Sequence, residues 1–190
     1  MLYSIGKFIF HIVNVVWFNF KVDGKENIPR EGGFIICPNH MNNYDPIVVC
    51  TQVRQPIHFM AKTEIFTNRL ISWVLKKVNI ISVDRDKVFI DTLKESLGVL
   101  KSNKVLGIFP EGTRVKEGER KKPMDGFVVF ALKTHSPIVP VHIRGNYKFR
   151  GKVYISFGKP IELSQYYGKK IKQDQMDEIS GNIMDQIYLT

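Results

Sequence analysis

Cysteine is scarce in this sequence: the 190 residues contain two, Cys37 and Cys50. They lie on either side of one predicted turn and make no disulfide framework, so we expect both thiols to stay free. Cys37 and His40 have a zinc-like spacing, but no matching second pair exists, and we therefore predict no metal site and no cofactor. This cysteine usage favours a reducing, cytoplasmic environment.

Acidic residues are few relative to basic ones. The chain has 18 Asp and Glu against 28 Lys and Arg, a net charge of +10 and a pI near 9.6. Such a balance predicts an anionic partner: nucleic acid, an acidic membrane surface or a phosphate-bearing substrate. RNA-binding signatures with stacking aromatics beside basic residues are not evident, which argues against nucleic acid. The basic cluster at residues 116–122 is more simply a loop that faces anionic headgroups or an acidic carrier protein.

The N-terminal segment lacks the small residues that would suit signal cleavage. Residues 1–22 are rich in Phe, Ile and Val, but Lys7, His11, Asn14 and Asn19 interrupt them, so the segment barely reaches the ~20 apolar residues of a spanning helix. Ser4, Lys7, His11 and Asn14 share one helical face, and apolar residues such as Phe8, Ile12 and Val15 lie on the opposite one. We predict an N-terminal amphipathic membrane-associated helix over 1–22. A spanning helix and a helix packed on the protein's own core remain alternatives.

Short apolar runs alternate with stretches of helical length through residues 23–190. This alternation predicts a single α/β domain with a largely parallel central sheet flanked by helices. The predicted strands are residues 34–37, 57–61, 80–83, 105–109, 138–141 and 153–157. The predicted helices are residues 46–53, 66–77, 87–101, 125–134 and 167–189.

The first predicted strand runs into a turn that carries His40 and Asp45. Asp45 precedes Pro46 and an apolar run, a pattern typical of a helix N-terminus. A non-helical turn, which the Pro and Asn residues here favour, would bring the carboxylate onto the imidazole. The other ring nitrogen could then take a proton from a hydroxyl, and because the stretch has no Ser, we expect that hydroxyl on the substrate. The alternative is a loop histidine beside a helix cap.

Three further predicted strands also end in polar residues. They end at Lys62, at Arg85 and at a turn containing Glu111 and Arg114. Parallel strands bring their carboxyl ends to one rim of a sheet, where ligands usually bind. The cations could hold a phosphate while the His40–Asp45 pair activates a hydroxyl. Taken alone, the ends at Lys62 and Arg85 are more simply solvated strand ends, and the alternative for the third is a surface turn with a salt bridge between Glu111 and Arg114.

Four ordered blocks, within residues 23–160, resemble the glycerolipid acyltransferases, especially the 1-acylglycerol-3-phosphate (lysophosphatidic acid) acyltransferases. The blocks are Asn39-His40 with Asp45, Val83-Asp84-Arg85, Phe109-Pro110-Glu111-Gly112-Thr113-Arg114 and Ile138-Val139-Pro140-Val141. The resemblance implies that His40 is the general base and Asp45 orients it. It also implies a phosphate site and an acyl-donor side. Arg114, Lys62 and Arg85 would bind the substrate phosphate, with Glu111, Gly112 and Thr113 shaping that site, and Val139, Pro140 and Val141 would help line the acyl-donor side.

The resemblance further implies transfer of a fatty acyl group from acyl-CoA or acyl-carrier protein to the 2-hydroxyl of lysophosphatidic acid, giving phosphatidic acid. Together with the basic charge and the N-terminal helix, it predicts an enzyme at the cytoplasmic face of the cell membrane. One alternative is a thioesterase or lipid hydrolase that uses the same His–Asp pair with water. The other is a non-catalytic basic membrane-binding module.

Overall fold

A seven-stranded sheet forms the centre of the computed structural model, which describes residues 2–67, 69–77, 79–83, 89–116 and 118–190. The predicted site residue Arg85 lies outside the described residues. The strands are β1 Asn19–Asp23, β2 Phe34–Pro38, β3 Ile57–Lys62, β4 Ile81–Val83, β5 Val105–Gly107, β6 Ile138–Gly145 and β7 Lys152–Phe157. The helices are α1 Leu2–Trp17, α2 Asp45–Gln52, α3 Arg69–Lys77, α4 Phe89–Lys101, α5 Gly126–Thr134 and α6 Gln173–Leu189.

The strand order is β1-β7-β6-β2-β5-β3-β4. Neighbouring strands pair in parallel except β6 and β7, which are antiparallel. The prediction of a single α/β domain with a mostly parallel sheet is therefore confirmed. β2 lies in the middle of the sheet between β5 and β6, and its carboxyl end leads directly into the segment that contains His40.

Both faces of β2 are covered, which explains why this strand is an uninterrupted apolar run. Ile35 and Cys37 pack into a core formed with α4, α5 and α6. Phe34 and Ile36, which point the other way, pack into a second core with α2 and with Phe18. All five residues of β2 are buried, so the sheet holds the loop after the strand from a rigid base.

The N-terminal helix is shorter than the sequence suggested. It ends at Trp17, and Asn19–Asp23 form β1, which extends the sheet by pairing with β7. The residues of β1 alternate between exposed and half-buried, the two-residue period of an edge strand. The boundary expected at residue 22 therefore falls inside a strand, because the run of aromatic and β-branched residues hides the change from helical to strand periodicity.

The polarity of α1 is inverted relative to that of an ordinary surface helix. Its polar side chains Lys7 and Asn14 face α2: Lys7 Nζ donates to the carbonyl oxygens of Val53 and Arg54, and Asn14 donates to Thr51 Oγ1. Apolar side chains occupy the outer face, and the exposed fraction is 66% for Phe8, 64% for Val15 and 60% for Val16. Within the part of the chain that the structure describes, none of the helices is long and apolar enough to cross a membrane.

Candidate active site

His40 and Asp45 lie on the connection between β2 and α2, at the carboxyl rim of the sheet. α2 begins at Asp45, with Pro46 in its first turn, and the non-helical loop before it brings the two side chains together. His40 Nδ1 lies 2.9 Å from Asp45 Oδ2. The contact expected from the spacing is thus present, while its catalytic use remains a prediction.

The Asp45 carboxylate is fully buried, with 0% of its surface exposed. Besides the imidazole, Oδ2 accepts hydrogen bonds of 2.7 Å from the backbone N–H groups of Met41 and Asn42. Oδ1 accepts a 2.5 Å bond from the Tyr147 hydroxyl. Burial removes water from this charge, and these donors supply the hydrogen bonds that water would otherwise make. They also fix the carboxylate in the orientation that places Oδ2 against His40.

The loop after β5 holds His40 from its other side. The imidazole stacks on the Phe109 ring, with 4.0 Å between the ring centres. The backbone N–H of His40 donates to Glu111 Oε2 at 2.7 Å, and its carbonyl accepts from the N–H of Val115 at 2.8 Å. In the described part of the chain the ring has no hydrogen bond at Nε2, and 17% of the side-chain surface is exposed. Nε2 thus has no competing partner in the described residues and is the ring nitrogen left for a substrate hydroxyl.

Glu111 is buried behind the histidine rather than open to solvent. Its carboxylate accepts from the His40 N–H and from the hydroxyl of Tyr188 on α6. Burial raises the pKa of this carboxyl group, against the lowering effect of the hydrogen bonds from Tyr188 and His40. Glu111 thus ties the loop after β5 to the histidine, which fits the loop-shaping part implied for it. A contact with phosphate stays a prediction.

The remaining predicted phosphate ligands differ in their position. Gly112 has a φ of +65°, a left-handed conformation that suits glycine in a tight turn. Thr113 is half-buried and Arg114 is exposed, directly before Val115, which bonds to the His40 carbonyl. Lys62 is exposed at the carboxyl end of β3. Arg114 thus lies next to the residue that bonds to His40, and Lys62 is the last residue of a strand that ends at the same rim of the sheet.

The residues predicted to line the acyl-donor side lie inside the sheet. Val139, Pro140 and Val141 are buried in β6 and pair with the end of β2, with Pro140 opposite Cys37 and Val141 opposite Pro38. Their visible effect is to support the strand that precedes His40. A contact with the donor is not tested and remains a prediction.

Two residues of the site gave no signal in the sequence, Tyr147 and Tyr188, and two others, Asn39 and Phe109, belong to the acyltransferase-like blocks but had no predicted role. Asn39 is buried and exchanges two hydrogen bonds with the backbone of Ile143, which locks the loop after β2 to β6. The hydroxyl of Tyr147 belongs to a residue 102 positions from its partner Asp45. Contacts of this separation depend on the folded topology, so no motif spacing reveals them.

The Tyr147 hydroxyl offers a direct test of how Asp45 is held. Tyr147→Phe removes this donor without changing the ring, which leaves Oδ1 of a buried carboxylate without that partner. We expect the free energy of unfolding to fall by about 1–3 kcal/mol, measured by urea denaturation, and turnover to fall because Asp45 is less well oriented. Tyr166→Phe is the matched control, since its hydroxyl makes no hydrogen bond within the described residues. Equal effects of both changes would contradict the assignment.

The sequence of this chain is similar to those of known proteins. The family model described as Acyltransferase matches residues 19–144. The 1-acyl-sn-glycerol-3-phosphate acyltransferase of Bacillus subtilis is 33% identical over 152 residues, which are 77% of this chain and 75% of the relative. The protein of the same name from Borreliella burgdorferi is 28% identical over 177 residues, 87% of this chain and 69% of the relative.

A solved structure shares the fold. It is the crystal structure of the 1-acyl-sn-glycerophosphate (LPA) acyltransferase PlsC from Thermotoga maritima, with a TM-score of 0.73 and 24% sequence identity. The similarity covers 97% of this chain and 76% of that one. Its extent includes the sheet that carries His40 and the helices on both faces.

Proposed function

The chain belongs to the acyltransferase family, and from that premise we propose that it transfers a fatty acyl group from a thioester donor to the 2-hydroxyl of 1-acylglycerol-3-phosphate, forming phosphatidic acid. Relatives named for this reaction support the choice of acceptor. The observation that carries the proposal is the buried Asp45 carboxylate against a partly exposed imidazole whose Nε2 has no hydrogen bond within the described residues. It is tested by mixing purified protein with two acyl donors and several lysophospholipids and measuring the acylated products.

The proposed mechanism needs no covalent acyl-enzyme. His40 Nε2 removes the proton from the acceptor hydroxyl as its oxygen attacks the thioester carbonyl carbon, forming the new C–O bond. The C–S bond then breaks, and the imidazolium returns the proton to the departing thiolate. Asp45 keeps the proton of the neutral ring on Nδ1 and stabilises the imidazolium that forms between the two steps.

We assign the acceptor phosphate to Arg114 and Lys62. Arg114 lies between Glu111 and Val115, which bond to the two backbone groups of His40, so its guanidinium is carried by the segment that fixes the base. A guanidinium is well suited to a phosphate because it offers two parallel donors and is always charged. Lys62 adds a second charge from the end of β3.

Arg114→Ala should therefore raise the KM for lysophosphatidate about tenfold or more, since hydrogen bonds to charged groups contribute roughly 1.5–3 kcal/mol each. Initial rates at varied acceptor concentration measure it. Arg30→Ala is the control, because Arg30 is also exposed but precedes β2 at the opposite end of that strand. An acceptor KM and kcat that both stay at wild-type values would reject the role of Arg114.

We also propose that α1 lies in the membrane interface, at the cytoplasmic face. Several of its apolar side chains point outward, while the polar side chains of Lys7 and Asn14 bond to α2 and to the residues that follow it. This arrangement costs free energy in water and is favourable against lipid. The positive charge of the chain, +10, adds attraction to anionic headgroups.

Replacing Phe8 and Val15 together by serine should release the protein from vesicles. Burying each such side chain stabilises the bound state by about 1.5–3 kcal/mol, so the double change should lower vesicle affinity by roughly 100-fold or more. Co-sedimentation with vesicles of phosphatidylglycerol and phosphatidylcholine measures the affinity. Met124→Ser, which removes an exposed apolar side chain from a loop, is the control. Unchanged sedimentation of the double variant would place α1 away from lipid.

Hydrolysis is the second candidate, because the same His40–Asp45 pair could activate water. The exposed cations at the rim favour a phosphorylated acceptor, since water needs no such partner. Donor consumption with and without lysophosphatidate separates the two functions: release of free fatty acid at the same rate in both would favour the hydrolase. A chain that binds anionic vesicles and consumes no donor would instead be a binding module.

A further inference from the structure

A basic cleft of about 310 Å³ adjoins the His40 loop on the α6 side of the sheet. We use "basic cleft" for the space between the loop after β5, the outer end of β6 and the last turn of α6. Asn39 and Met41, the neighbours of His40, line it, as do the cations Lys116, Arg120 and Arg144, together with His142 and Tyr188. Among its lining residues the three cations outnumber the one carboxylate, that of Glu119, so the net charge of the lining is positive.

Two of these cations lie over aromatic rings. The Arg120 guanidinium carbon lies 4.6 Å from the centre of the Tyr188 ring, and a nitrogen of Arg120 lies 3.0 Å from Asp185 Oδ1. The Arg144 guanidinium carbon lies 5.1 Å from the centre of the Tyr154 ring. Stacking on aromatic rings restricts both side chains while leaving their N–H groups available to an anion.

His142 lines the cleft together with these guanidiniums and contacts Tyr188 edge-on, with 5.6 Å between ring centres. Burial lowers the pKa of its imidazole, and the charges of Arg144 and Arg120 lower it further. The charged and titratable groups around it are Arg144 on its own strand, Arg120, Lys116 and Glu119 on the loop after β5, and Tyr188 on α6. An anion in the basic cleft would offset the two guanidiniums and return this pKa upward.

The cleft opens away from the apolar face of α1. His142 and Arg144 alternate along β6 with Val141 and Ile143, and those two pack with Phe18 and α2, the helix that α1 contacts. A ligand in the basic cleft therefore approaches from the side of the sheet opposite to α1. That direction suits a water-soluble anion better than the headgroup of a lipid that sits beside α1.

We propose that the basic cleft binds the phosphoester arm of the soluble thioester donor, the phosphopantetheine group that acyl-CoA and acyl-carrier protein share. The inference rests on the proposed acyl-transfer function and names a second anion site, separate from that for the acceptor phosphate. Because Asn39 and Met41 border the cleft on either side of His40, a donor anchored there by its phosphate has its thioester arm beside the catalytic loop.

The test is the double variant Arg120→Gln/Arg144→Gln, with Lys101→Gln/Lys133→Gln as a control that loses the same charge from exposed positions on α4 and α5. We expect the donor KM to rise about tenfold or more, with unchanged kcat, acceptor KM and vesicle binding. A rise for both acyl-CoA and acyl-carrier protein supports the shared arm, and a rise for one identifies the donor in use. An unchanged donor KM, or a rise in the acceptor KM or a loss of vesicle binding instead, overturns the proposal.

A binding measurement separates this inference from the proposed function. The His142 ring resonances of the full chain are titrated by NMR with phosphopantetheine, with coenzyme A and with pantetheine, which lacks the phosphate. The two phosphorylated probes should raise the His142 pKa, and pantetheine should leave it unchanged. If the phosphorylated probes bind in this way but the protein acylates no lysophosphatidate, the proposed function is wrong and the proposal for the basic cleft is supported. If the protein is active but no probe changes the pKa of His142, the proposal for the basic cleft is wrong.

Discussion

Replacing His40 by asparagine is expected to lower acyl-transfer turnover by about 10²–10⁴-fold, the usual contribution of a positioned general base. Asparagine keeps a polar group of similar reach next to Asp45 but cannot take a proton from the acceptor hydroxyl. The KM for both substrates should change little, because the Nε2 side of the ring is used during bond formation rather than for anchoring. Single-turnover rates at saturating donor and acceptor measure the effect on the chemical step.

His135→Asn is the matched control for this change. His135 is exposed and has a φ of 54° as it ends α5, a backbone conformation that asparagine accepts readily. It therefore loses an imidazole without added strain. Turnover of His40→Asn within twofold of that control, in a protein with an unchanged melting temperature, would remove His40 from the mechanism.

Asp45→Asn should damage both stability and catalysis. The buried carboxylate accepts hydrogen bonds from His40, Met41, Asn42 and Tyr147, whereas an amide has one oxygen and would turn its NH₂ group toward some of these donors. We expect the free energy of unfolding to fall by roughly 3 kcal/mol. Turnover should fall by roughly 10³–10⁴-fold, because the imidazole loses the partner that sets its tautomer.

Urea denaturation and steady-state kinetics read these two effects separately. Asp174→Asn is the control, since Asp174 is exposed in the first turn of α6 and its neutralisation should change either quantity only slightly. If Asp45→Asn lost stability but kept wild-type turnover under conditions where it stays folded, the carboxylate would be a helix-start residue and nothing more.

The parts of the fold that rest on local pattern were predictable from the sequence. The six apolar runs form β2 to β7, and the five helical stretches form α2 to α6, within four residues at each end except that α6 begins at Gln173, six residues after the predicted start of the last helix. The His40–Asp45 contact was also predictable, because both residues lie in one short loop. The resemblance to acyltransferases, drawn from four short blocks, is confirmed by the match of the family model over residues 19–144.

What could not be predicted depends on long-range packing. β1 was missed because Phe20 and Val22 continue an apolar run that reads as helix until the pairing with β7 is known. Tyr188 reaches Glu111 from 77 residues away, and nothing in the spacing of either residue connects them. The inward direction of the polar face of α1 was equally hidden, because the sequence defines two faces but not which one meets the protein.

The contact between α1 and α2 also affects how the enzyme would obtain its lipid. The Tyr44 hydroxyl donates to Asn14 on α1 at 2.8 Å, and Tyr44 immediately precedes Asp45. If α1 anchors in a bilayer as proposed, it would hold the His40–Asp45 pair at a set height above the lipid plane. A lipid acceptor would then arrive by lateral diffusion in two dimensions. Its mole fraction in the bilayer, rather than its bulk concentration, would set the rate, so diluting it with inert lipid should slow turnover at constant total acceptor.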